Sequence, residues 1–124
     1  MAARRLLSIC ILLVAAAGVV RAADISGTWS AKFTTQVGEQ QYTYEFVVKG
    51  TALTGSIKSN LLGDSVIADG KVDGNKVTFV ENGKYMDMPI RIEYTGTISN
   101  DNEIAFTRKV ADFGSEDLVA RRSK

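Results

Sequence analysis

Tyr42-Thr43-Tyr44-Glu45-Phe46-Val47-Val48-Lys49 sets Tyr42, Tyr44, Phe46 and Val48 at every second position. A strand turns successive side chains to opposite faces, so this stretch reads as a strand with one face buried. The same period extends outward from it. On the N-terminal side Trp29, Ala31 and Phe33 alternate with Thr28, Ser30, Lys32 and Thr34, and Gly38-Glu39 forms the intervening turn. On the other side Gly50-Thr51 turns the chain into a third run carrying Leu53, Gly55 and Ile57.

The alternation continues downstream, and no helical period of useful length interrupts it. A fourth run places Val66, Ala68, Gly70 and Val72 on one face and Ile67, Asp69 and Lys71 on the other. Asp73-Gly74 predicts a hairpin, because both residues tolerate the positive φ of a primed turn. Val77 and Phe79 make a fifth run, and Asn82-Gly83 predicts a second turn of the same kind. Tyr85 to Pro89 reads ambiguously; Pro89 lacks an N–H and marks an edge, a bulge or a strand start. A sixth run carries Ile90, Ile92, Tyr94, Gly96 and Ile98, and a seventh, after Asn100-Asp101-Asn102, carries Ile104 and Phe106. The eighth spans Leu118 to Arg122, with residues 110–117 open between strand, plug and tail. The loop from Asn60 to Asp64 holds two leucines that no strand face accounts for.

Eight short strands on short connections predict an all-β fold: an eight-stranded antiparallel up-and-down barrel, with a two-sheet β-sandwich as the alternative. Glycines at mid-strand (Gly55, Gly70, Gly96) favour the barrel, which needs room where strands coil tightly.

The first 22 of the 124 residues read differently. Arg4 and Arg5 precede an apolar run from Leu6 to Val20, and Val20-Arg21-Ala22 offers small residues at a cleavage site. This pattern predicts a secretory signal peptide over 1–22 and a single domain over 23–124. The rival reading is a membrane anchor, for which the run is short of about 20 residues. A lipoprotein reading of Cys10 fails, because Ile9 precedes it and more apolar residues follow.

Removing 1–22 takes the only cysteine and three of the 15 basic residues, leaving 12 against 14 acidic ones. Export without disulfides suits a bacterial periplasm or extracellular surface. A near-neutral chain without a basic block argues against nucleic acid as partner, and after cleavage against membrane. The oligomeric state is left open.

Gly27-Thr28-Trp29 resembles the Gly-x-Trp that opens the first strand of the calycins, the group of lipocalins, fatty-acid-binding proteins and avidins. In lipocalins an arginine near the last strand packs over that indole. The resemblance implies barrel closure by Gly27 and Trp29 with Arg121 or Arg122. The 102-residue mature length and the lack of a C-terminal helical pattern depart from a typical lipocalin. The chain also resembles small exported β-modules of bacteria, some appended to glycoside hydrolases. That likeness rests on Gly-Thr-Trp, Leu53-Thr54-Gly55, Gly70-Lys71-Val72-Asp73-Gly74 and Phe106-Thr107-Arg108.

Without histidine, and without cysteine after cleavage, the chain has no Ser-His or Cys-His nucleophile pair and no imidazole or thiolate metal site. No phosphate-binding glycine loop is present. No catalytic residue, metal or cofactor is therefore expected. The one enzymatic route left is a carboxylate pair, from Asp64, Asp69, Asp87 and Glu93, whose places in turns or on outward faces read as surface charge.

The preferred expectation is a non-catalytic barrel that binds a small apolar or amphipathic ligand at its open end. The residues expected to ring that cavity are Tyr42, Tyr44, Leu61, Leu62, Met86, Met88 and Tyr94; the bland alternative for each is ordinary core or lid. The runner-up is an accessory module that meets a glycan or protein through exposed aromatics such as Tyr85 and Phe113.

Overall fold

A computed structural model describes residues 24–123. The signal-peptide reading of 1–22, with Cys10, lies outside the described residues. Nine strand segments follow one another: β1 (Gly27–Thr35), β2 (Gly38–Lys49), β3 (Ala52–Ser59), β4 (Ser65–Val66), β5 (Ala68–Asp73), β6 (Lys76–Tyr85), β7 (Met88–Asn100), β8 (Glu103–Val110) and β9 (Gly114–Arg122). Pairing is antiparallel throughout, and β1 closes the ring on β9 through Trp29↔Arg122 and Ser30↔Arg121. The two short segments β4 and β5 together occupy one place in the ring, both pairing with β3. The result is a closed eight-stranded antiparallel barrel, compatible with a calycin-like fold.

Three places depart from the sequence reading. The first is Asn82-Gly83, which makes no turn. β6 runs through it, pairing Asn82 with Arg91 and Gly83 with Ile90. The turn comes at Met86-Asp87, with φ of 51° and 66°. Positive φ at both central residues is the primed geometry that matches strand twist, though a residue other than glycine adopts it at a cost of about 1–2 kcal/mol. Gly83 is needed for room instead: a Cβ there would stand 3.2 Å from Leu62 Cβ.

The second departure is in the fourth run. The strand breaks at Ile67, whose N–H bonds the Gly55 carbonyl, and Asp69 takes φ 50°. This irregularity shifts the phase, so Ile67 is buried and Val66 exposed, the reverse of a regular strand. The third is Gly38-Glu39, which makes no turn but opens β2, paired with Thr35 and Thr34, while the chain turns at Gln36-Val37. Residues 110–117, left open by the sequence, divide between the end of β8, a turn at 111–113 and the start of β9.

Gly55 and Gly96 show why the barrel wants mid-strand glycine. Gly55 adopts φ 142°, and a Cβ on it would overlap the Glu45 carbonyl oxygen across the β2–β3 ladder. Gly96 lies beneath the Phe106 ring of its cross-strand partner, and a Cβ would occupy that ring's place.

The interior is filled in layers. At the end where β1 begins and β9 finishes, Trp29 is fully buried and donates its indole N–H to the Ile25 carbonyl at 2.9 Å. The Arg122 guanidinium lies 4.7 Å over the indole and donates to the carbonyls of Ser26 and Asp101. Arg121 turns outward and pairs with Glu103. Above Trp29 sit Phe46, Phe79, Tyr44, Tyr94 and Phe106 in mutual ring contact, with Phe79 stacked on Tyr94 at 4.2 Å. The loop after β3 folds inward: Ser59 Oγ accepts from the N–H groups of Leu61 and Leu62, and Lys84 N–H bonds the Leu62 carbonyl. Its leucines thereby find their place, Leu62 buried and Leu61 packed on the core.

Candidate functional site

The inward period that builds the core brings polar residues to the far end of the barrel. Following Phe46, Tyr44 and Tyr42 along β2 leads to Gln40. Following Val77 and Phe79 along β6 leads to Glu81, and Ile104 and Phe106 along β8 lead to Arg108. All three are buried, Glu81 at 0% and Arg108 at 1% exposure.

Burying a charge is costly unless it is paired and hydrogen-bonded, and here the pairing is thorough. Arg108 Nη1 donates to the hydroxyls of Tyr42 at 2.9 Å and Tyr94 at 3.0 Å. Each hydroxyl in turn donates its own proton to Glu81, Tyr42 to Oε2 at 2.9 Å and Tyr94 to Oε1 at 2.8 Å. The two charges stand 3.8 Å apart at closest and communicate mainly through the tyrosines. The Tyr94 proton is committed to Glu81, so at the 3.0 Å contact with Tyr44 it is Tyr44 that donates. Arg108 also gives Nη2 to Gln40 Oε1 and Nε to Glu116 Oε1, both at 2.8 Å. Gln40 is steadied by donating to Thr35 Oγ1. The Phe33 ring covers the guanidinium at 4.8 Å.

Burial dominates the titration of this cluster. It pushes the Tyr42 hydroxyl up to about 12, helped by the Glu81 charge. It also drives Tyr44 and Tyr94 well above the ordinary tyrosine value. Glu81 is raised by burial against the opposing pull of the Tyr94 and Tyr42 hydroxyls and Arg108. A raised tyrosine pKa contributes stability that is complete below its unfolded value of 10.0 and is lost as pH climbs to the folded value. Stability measured by urea titration is therefore expected to fall steeply as pH rises from 10.0 to about 12. Tyr42 alone accounts for about 1.4 kcal/mol per pH step of one across that window. Stability that holds level through this range would contradict the network. By the same sign rule the raised Glu81 carboxyl makes its own contribution in acid, and that contribution declines as pH rises through its folded value.

Above Arg108 the barrel end opens into a cleft of about 760 Å³, within the range of small-molecule sites. Phe33, Leu62, Met88, Ile90, Val110 and Phe113 supply apolar wall, with Arg108, Gln40 and Glu116 at the polar floor. The turns at 36–37, 86–87 and 111–113 lie at this end and, with the start of β7, expose Val37, Met86, Met88 and Phe113.

No family model, curated protein or solved structure matches the chain.

Of the residues expected to ring the cavity, Leu62 and Met88 stand on the cleft wall. Tyr42, Tyr44 and Tyr94 lie beneath it, buried under Arg108. Leu61 packs on the core, and Met86, 81% exposed, sits at the hairpin tip. Gly27 opens β1, and of the two arginines Arg122 is the one over Trp29. Asp64, Asp69, Asp87 and Glu93 are all exposed, as surface charges are. Among the described residues no group of three or more acidic, His or Cys side chains could hold a metal ion. The two acids that do converge, Glu81 and Glu116, converge on Arg108. Both Glu81 oxygens are bonded to tyrosines below the guanidinium, out of reach of a molecule in the cleft.

The sequence reading does not single out Gln40, Glu81, Arg108 or Glu116 as site residues. Period two carries the signal for three of them, each being the next inward position on a recognised strand.

Proposed function

We propose that the protein is an exported, non-catalytic barrel that holds a small apolar or amphipathic ligand at its open end. The observation that carries this reading is the cleft: apolar walls over a floor of buried, already ordered polar groups. A site built this way accepts an apolar body and orients one polar end, with little reorganisation on binding. The leader pattern over 1–22 supports export, and the mouth lies away from the end sealed by Trp29.

The exposed rim of Val37, Met86, Met88 and Phe113 favours a second reading, an accessory module that meets a glycan or protein through this same end. A thermal-shift screen separates the two. An apolar ligand at about 100 times its dissociation constant is expected to add about 2.7 kcal/mol, several degrees in a domain of this size. A shift with oligosaccharides alone would transfer the assignment to the rim, and no shift with any apolar ligand would overturn the pocket.

A further inference from the structure

The inward-facing charged groups at this end are Glu81, Arg108 and Glu116, one cation between two anions. Their formal sum is −1. The guanidinium is thus already neutralised from both sides, and one of its faces is covered by Phe33. The order of exposure decides what a ligand meets. Arg108 is 1% exposed and Glu81 0%, whereas the Glu116 side chain is 28% exposed and lines the cleft. Glu116 uses Oε1 for Arg108, and its Oε2 has no hydrogen-bond partner among the described residues. The outermost charge of this cluster is negative, with an acceptor to spare.

Resting on the pocket reading above, we propose that the ligand is a small amphipathic cation, an alkyl- or aralkylammonium. Its ammonium donates to Glu116 Oε2, and its apolar body lies against Phe33, Met88, Ile90 and Phe113. A charge-assisted hydrogen bond in a partly desolvated site is strong enough to select among heads on one tail. A carboxylate head would add a third anion around one guanidinium and meet Glu116 first. A neutral alcohol keeps the wall contacts and loses the ion pair.

The test is isothermal titration of the purified protein with octylamine, octanol and octanoate at neutral pH. The expected order is octylammonium first, about tenfold or more ahead of octanoate, with octanol between. Glu116→Gln is expected to erase that preference, octylamine losing far more affinity than octanol does. In the unaltered protein, raising the salt concentration should narrow the amine-to-alcohol ratio. Octanoate or octanol binding as tightly as the amine overturns the cation assignment and leaves the pocket standing. A ratio indifferent to both Glu116→Gln and salt does the same. Binding by none of the three overturns both.

Discussion

Arg108→Met is expected to destabilise the barrel by about 3–5 kcal/mol, because it leaves Glu81 buried without its counter-charge. The loss is compounded by what Arg108 organises. Tyr42, Tyr94, Gln40 and Glu116 all lose a donor at once. For a domain holding about 5–15 kcal/mol in total, this brings the folded state near its limit. Adding Glu81→Leu to Arg108→Met should then recover about half the loss, since the orphaned charge goes with it. Urea denaturation of the two single variants and the double variant gives the coupling directly. Additive losses would mean that the two charges do not depend on each other, against the shared tyrosine bridge between them.

Gly55→Ala is the second large effect, and its cause is the backbone. The added methyl meets the Glu45 carbonyl oxygen, and φ 142° suits no L side chain. Relief requires Phe46↔Gly55 and its neighbours to part, in the ladder that joins β2 to β3. A loss of about 3–4 kcal/mol is expected, large for a single methyl group. The same change at Gly74, an open turn with φ 61° and no atom near its Cβ, should cost only about 1 kcal/mol. Comparable melting temperatures for the two variants would contradict the close approach.

The barrel is legible in the sequence because its information is local. Tyr42 to Lys49 and Ile90 to Ile98 each state their own face, and the recurring turns leave few ways to connect them. Turn chemistry misleads at Asn82-Gly83, where a strong dipeptide signal loses to strand pairing and to the space that Leu62 requires. That one misplacement hides the site. Ending the fifth run at Phe79 removes Glu81 from the inward series, and without Glu81 nothing suggests that Arg108 is buried. General burial tendencies place both residues on the surface, and a single sequence does not show which glutamate meets which arginine 27 positions away. The leucines of the 60–64 loop stand out as anomalous, but what they cover is a tertiary fact. The irregularity at Ile67 to Asp69 likewise has no local signature beyond an aspartate able to take positive φ.

A methyl and amide NMR titration of the protein with octylamine bears most directly on the open-end cleft. The cleft predicts shifts confined to Phe33, Met88, Ile90, Val110, Phe113 and Glu116. Leu53, Val77 and Ile104, in the core away from the cleft, should stay still. Shifts centred on those core residues or on Trp29, or spread evenly over the outer faces of the strands, would contradict it.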